Sequence, residues 1–154
     1  MTREFSAGGV VLRQMRGRGW LAAIEPAGKP GTLALPKGLV DPGERPEQTA
    51  LREVQEETGV HAELVDKLGD IKYVYTRSWA GGERVFKVVS FYLLRFRSGR
   101  LGDIKPEMRV EVSRAEWIPV EDAPRRLAYK GEREIAQKAI EYLTRNPESK
   151  PADN

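Results

Sequence analysis

The sequence contains no cysteine. That absence excludes disulfide staples and thiolate chemistry, and it leaves the redox compartment open. Histidine is nearly absent as well. His61, the single one, follows a helix end and reads as a solvated or capping side chain. No long apolar run is present. The N-terminal stretch MTREFSAGGVVL has neither an extended apolar core nor a small-residue cleavage site, so no signal peptide or membrane-spanning helix is expected and a cytoplasmic location is the default. There is no large excess of charge of one sign. The net charge of +3 is compatible with a polyphosphate or nucleic-acid ligand without arguing for one. No internal repeat and no linker is visible. The 154 residues suffice for one domain with a real core, read here as residues 1–146 followed by a polar C-terminal tail, 147–154.

What is present alternates between β-rich and helical patterns. Residues 5–12 form a β-rich run broken by Gly8-Gly9, a pair that permits close backbone approach or a bulge. Residues 13–19 (RQMRGRG) read as a basic turn, 20–24 as a second strand, 26–31 as a Gly/Pro loop and 33–35 as a short strand. Residues 62–75 contain a strand on which Tyr73, Tyr75 and Arg77 share one face. Ala80-Gly81-Gly82 is a turn. Residues 85–96 (VFKVVSFYLLRF) are the most apolar run and fit a central strand. A polar loop over 99–106 precedes a strand over 110–119, and a short helix begins at Glu121. Residues 131–145 carry Ile135, Ala136, Ala139, Ile140 and Leu143 at helical spacing. The whole predicts an α/β domain, a mixed β-sheet between helices.

The densest chemistry lies between Gly38 and Val60, GLVDPGERPEQTALREVQEETGV. Pro42-Gly43 signals a turn, Pro46 suits a first helical position and Gly59 a helix stop. A helix over about 46–58 follows. On it Glu53, Glu56 and Glu57 stand at i, i+3 and i+4, within an arc of about 100°. Ala50, Leu51, Val54 and Thr58 fall on the neighbouring, core-seeking face. Three like charges on one face repel, and a helix gains nothing from them unaided. A hard divalent cation wants such oxygens at close range and brings phosphates with it. The alternative is a solvated acidic face partly neutralised by Arg52 at i, i+4 to Glu56.

The stretch matches G-x5-E-x7-R-E-U-x-E-E-x-G-U, with U aliphatic, at every fixed position. It resembles the Nudix, or MutT-like, hydrolase family. The resemblance implies a Nudix-type α/β/α sandwich and Mg²⁺-dependent cleavage of a pyrophosphate linkage, with Mn²⁺ as the other cation. It makes Glu53, Glu56 and Glu57 metal ligands or bases, with Glu53 either a ligand or the acceptor of the attacking water's proton. It gives Gly38 a carbonyl to offer the metal. Arg52 pairs with a motif glutamate, and Glu44 either supports the loop or binds a metal. Many relatives carry a glutamate at about the distance of Glu111 ahead of a W-x-P-type segment, here Trp117 to Pro119. Glu111 is therefore a second candidate for the base, with Glu107 and Glu116 as competitors.

Specificity lies outside the motif. Lys37 would face phosphates. Tyr75, Arg77 and Lys87 are expected at the substrate, with Arg84 as a further cation and Tyr73, Trp79 and Phe86 as further aromatic platforms. Leu35-Pro36-Lys37-Gly38 resembles the entry of the diadenosine polyphosphate and diphosphoinositol polyphosphate branches, with Leu33 where a tryptophan often stands, and the same entry occurs in some nucleotide-sanitising members. Dinucleoside polyphosphates are the leading substrate. A MutT-like pyrophosphohydrolase of nucleoside triphosphates, oxidised ones included, comes second. Release of pyrophosphate from RNA 5′ ends is disfavoured by Lys37, where that branch usually carries glutamine. A nucleotide sensor without turnover is the alternative of another class, but such domains tend to lose motif glutamates and this chain keeps them.

Overall fold

The computed structural model describes residues 1–149. Six strands, β1 (Thr2–Met15), β2 (Arg18–Pro26), β3 (Lys37–Leu39), β4 (Val60–Arg77), β5 (Glu83–Gly99) and β6 (Val112–Pro119), form one sheet. The order is β4-β5-β1-β2-β6, with β3 paired to β1. The β1–β5 pair is parallel and the other pairings are antiparallel, so the sheet is mixed. Three helices cover it: α1 (Pro46–Thr58), α2 (Ala123–Arg126) and α3 (Lys130–Arg145).

The two faces carry separate cores. On one face Val10, Leu12, Val89, Phe91 and Leu93 pack against Ala123 of α2, Leu127 just beyond it, and Ile135, Ala136 and Ala139 of α3. On the other, Ala7, Val11, Tyr92 and Leu94 pack against Ala50 and Val54 of α1. This is the α/β/α sandwich. β1 is buried on both faces, which explains its continuous apolar run.

The glycine pair serves close approach. A Cβ on Gly8 would lie 2.3 Å from the Pro36 carbonyl oxygen, and one on Gly9 would lie 2.4 Å from Leu94 Cδ1. Their absence lets the segment ahead of β3 lie on one side of β1 and the core pack tightly on the other.

The helix over 46–58 forms as expected. The Arg45 N–H donates to Gln48 Oε1 (2.9 Å), closing its entry. Gly59 ends it with φ 84°, its N–H donating to the Gln55 carbonyl at 2.9 Å.

Other boundaries moved. The basic turn is only Arg16-Gly17, both at positive φ (53° and 71°), a tight hairpin between longer strands. Residues 33–35 do not form a strand. Ala34 makes an isolated bridge to Ile24, and the strand begins at Lys37. Pro36 has no N–H to donate, and the Leu35 N–H is taken by the Glu132 carboxylate (2.7 Å). The strand expected over 110–119 begins at Val112, after a 3₁₀ turn over Pro106–Val110. Of the expected tail, Pro147–Ser149 form another 3₁₀ turn, and 150–154 lie outside the described residues. Among the described residues no helix is long and apolar enough to cross a membrane.

Candidate active site

The short strand β3 and helix α1 build the site. β3 lies antiparallel to β1, with Lys37 opposite Gly8, Gly38 opposite Ala7 and Leu39 opposite Ser6. α1 packs Ala50 and Val54 into the core, which turns Glu53 and Glu57 toward β3. Both are buried, at 7% and 6% exposure. Glu53 presses so closely on Gly38 that a Cβ there would fall 2.2 Å from its carboxyl carbon. Glu57 Oε1 accepts the Lys37 N–H at 2.9 Å.

Arg52 ties the motif together. Its Nε and Nη2 grip both oxygens of Glu44 (2.8 and 2.9 Å), and Nη2 also donates to the Leu39 carbonyl at 3.1 Å. Nη1 donates to Glu53 Oε1 (2.8 Å) and to Glu56 Oε2 (3.2 Å). Asp41 adds an ion pair at 3.3 Å. The fork holds the Glu44 carboxyl down to about 2, and the surrounding carboxylates push Arg52 further up.

The three helix glutamates do not all face one way. Glu53 and Glu57 line a groove of about 430 Å³ with Ser6, Lys37, Gly38, Lys87 and Glu111. Glu56 lines a neighbouring polar hollow with Arg52, His61, Asp103 and Lys105. Among the described residues no group of three or more carboxylates or histidines stands ready to hold a metal ion. The reason is visible: a guanidinium nitrogen of Arg52 occupies the place where Glu53 and Glu56 meet.

The groove nevertheless suits a hard cation. Burial pushes Glu57 up to about 8, and the charges of Glu53 and Glu111 add to the rise. Glu53 is raised by burial against the pull of Arg52, with Glu56 and Glu111 contributing. Carboxylates crowded together and withdrawn from water are an electrostatic deficit that a divalent cation offsets, and oxygen donors are the set that Mg²⁺ and Mn²⁺ accept.

Beside the groove lies a cavity of about 570 Å³ with aliphatic and aromatic walls, among them Leu35, Ile71, Tyr73, Val89, Phe91 and Tyr129. Its size suits a small organic ligand. Lys37, Glu57 and Glu111 line both spaces. Glu111 is fixed at the end of the 3₁₀ turn, its N–H donating to the Met108 carbonyl and its own carbonyl accepting from the Ala27 N–H. Of its competitors, Glu107 lines the polar hollow and Glu116 pairs with Arg114 at the surface (3.0 Å).

The expected substrate residues separate. Lys37 and Lys87 line the groove, Lys87 with its ammonium 3.2 Å from Glu4. Tyr75 and Arg77 do not reach it. The Tyr75 hydroxyl and Arg77 Nη2 both donate to Glu4 Oε2 (3.0 and 2.9 Å). Two residues along a strand is a rise of nearly 7 Å; Tyr73 stands in the cavity wall and Tyr75 beyond it. Trp79 is 78% exposed at the hairpin tip. Two groups escaped the sequence reading. Glu132 of α3 is buried against Leu35 and Lys37, 95 positions from Lys37, with no local signal. Ser6 stands in the groove wall with a buried hydroxyl that has no hydrogen-bond partner among the described residues.

The comparisons with known proteins bear on the family and the fold. A profile of the NUDIX domain matches residues 3–139. The chain belongs to the Nudix family. It is 39% identical to a Mycobacterium tuberculosis protein provisionally named mutator protein MutT4, over 97% of this chain and 59% of that protein. The chain thus spans well under two thirds of that relative. It is 29% identical to an RNA pyrophosphohydrolase of Erythrobacter litoralis, over 76% of this chain and 77% of the relative. Among solved structures, a C. elegans Ap4A hydrolase binary complex superposes with a TM-score of 0.70 at 24% identity, covering 92% and 98% of the two chains. The NUDIX domain of Shewanella oneidensis NrtR, complexed with ADP ribose, gives 0.72 at 20%, covering 93% and 90%. At those identities the structures speak for the fold of this Nudix chain.

Proposed function

We propose that this Nudix chain hydrolyses a pyrophosphate linkage in a nucleoside diphosphate joined to a further group. The observation that carries the reading is the shared wall: Lys37, Glu57 and Glu111 border both the cavity and the acidic groove. A nucleoside in the cavity runs its phosphates past Lys37 and onto the carboxylates. Tyr73 and Tyr129 supply aromatic surface to the base.

Glu53, Glu56, Glu57 and the Gly38 carbonyl would hold a divalent cation, Mg²⁺ or Mn²⁺. When bound, the cation neutralises phosphate charge and acidifies water. The chain's own residues do the rest. Lys37 and Lys87 orient the phosphates. Glu111, whose carboxylate accepts no hydrogen bond among the described residues, takes a proton from the attacking water; Glu53 is the other acceptor, but Arg52 already engages it. The water oxygen forms a bond to phosphorus, the bridging P–O bond breaks, and the leaving phosphate carries away that electron pair.

Dinucleoside polyphosphates are the first substrate class. Besides Leu35-Pro36-Lys37-Gly38, the polar hollow of about 520 Å³ beyond Glu56, with Lys105 and His61 in its wall, gives room for a second nucleotide. The second reading is a nucleoside triphosphate, favoured by the name of the mycobacterial relative. A panel of dinucleoside polyphosphates, nucleoside triphosphates, nucleotide sugars and RNA 5′ triphosphates, assayed with Mg²⁺ and with Mn²⁺, decides. Diadenosine tetraphosphate is expected to lead in kcat/KM. A triphosphate leading by about tenfold or more installs the second reading. No turnover of any member sinks both.

A further inference from the structure

Glu132 is 3% exposed and sits in the first turn of α3. Gly131 seats that turn: a Cβ there would lie 2.8 Å from Ile71 Cδ1, so the helix enters hard against β4. The carboxylate is thereby delivered to the segment ahead of the motif. Oε1 accepts the Leu35 N–H at 2.7 Å and Oε2 receives the Lys37 ammonium at 3.3 Å. Lys37 is also held at its other end, its amide N–H donating to Glu57 Oε1 at 2.9 Å. One residue thus links buried carboxylates from helices on opposite faces of the sheet.

The two bonds of Glu132 serve different ends. The Leu35 bond satisfies a buried main-chain donor and belongs to the fold. The Lys37 bond is not needed for that. A lysine head group on four rotatable carbons would otherwise range along the groove. Glu132 confines it to the border between cavity and acidic groove, both of which Lys37 lines. The point at which that positive charge stands decides which stretch of a phosphate chain it holds, and so which anhydride meets the carboxylates.

We infer that Glu132 is a positioning residue that, through Lys37, selects the phosphoanhydride to be cleaved. The inference rests on the pyrophosphate-hydrolysing reading of the site. Its test is Glu132→Gln, in which the amide oxygen keeps the Leu35 bond and the NH₂ group cannot hold an ammonium. Hydrolysis in H₂¹⁸O of the best substrate from the panel shows which phosphorus is attacked. The expected result is a rise in KM of about fivefold or more, a smaller change in kcat, and label appearing at a neighbouring phosphorus. Lys37→Gln is expected to give the same pattern, and the double variant no further loss. KM within about twofold of wild type and an unchanged label position overturn the inference, as does a double variant whose losses simply add. If Glu132→Gln fails to fold, Glu132→Asp, which keeps the charge and shortens the reach, takes its place with the same expected pattern. A wild type that hydrolyses nothing defeats the functional reading by itself. The same cycle is then measured by titration calorimetry with a methylene-bridged nucleoside triphosphate, where additive losses overturn the link.

Discussion

Gly38 and Glu53 occupy space that no side chain at position 38 can share, since its Cβ would fall 2.2–2.4 Å from the carboxyl carbon and oxygens of Glu53. The obstacle is steric, and the displaced atoms are the end of a flexible side chain. Gly38→Ala is therefore expected to move the Glu53 carboxylate at little cost to the fold. Turnover should drop about 100-fold or more, while the melting temperature changes by only a few degrees. Rate assays beside thermal melts check this; near wild-type kcat would refute the placement of Glu53 in the site.

Glu56 and Glu57 differ in surroundings, so their glutamine variants should differ in stability. Both are expected to cut turnover by orders of magnitude. Only Glu57→Gln removes a carboxylate that burial pushes up to about 8, and it alone should unfold at a higher temperature in metal-free buffer at pH 8. Equal melting temperatures for wild type and Glu57→Gln would contradict the buried-charge account.

The Glu44–Arg52 fork makes a pH prediction. The Glu44 pKa is held at about 2, below its ordinary 4.5, so the folded state releases this proton more readily than the unfolded chain does. The resulting stability is fully present above about pH 4.5 and is lost as the pH falls toward 2. Urea unfolding of wild type and Glu44→Gln between pH 7 and 3 isolates it. The gap between the two should narrow with falling pH; a constant gap contradicts it.

Ser6 is 2% exposed, and its hydroxyl has no partner among the described residues. An unpaired buried hydroxyl is a burden, so Ser6→Ala should stabilise the fold by about 1 kcal/mol. A lowered denaturation midpoint would show that the hydroxyl has a structural partner after all.

The helix from Pro46 to Thr58 was legible because its signals are local: proline at the start, glycine at the stop, apolar residues at helical spacing between them. The glutamate face was legible for the same reason, yet only in part. Spacing placed Glu53, Glu56 and Glu57 within one arc, and the structure divides them between two spaces, Glu53 and Glu57 beside Gly38 in the groove and Glu56 in the polar hollow, with Arg52 Nη1 bridging Glu53 and Glu56. Tyr75 and Tyr73 share a face, as alternation requires, but which of the two reaches the cavity depends on where the start of α3 packs along β4, at Gly131 against Ile71. The strand expected at 33–35 failed for one local reason, Pro36 with no N–H to donate, and one that its neighbourhood does not show, the distant Glu132 carboxylate that takes the Leu35 N–H.

The sequence by itself determined the family and the acidic helix, because their signals lie on residues close together in the chain. The alternation of β-rich and helical patterns implied the sheet between helices; the parallel pairing of β1 with β5 joins residues far apart, from Thr2 opposite Val85 to Leu12 opposite Arg95. The tertiary structure alone decided that Glu111 and Lys37 border two spaces at once, that Glu132 holds Lys37, and that Arg77 belongs to Glu4. Those relations join segments separated by roughly 70 to 100 positions. Nothing in local propensity carries them; they exist only where packing of the two helical layers closes the sheet and brings distant charges within a few ångströms.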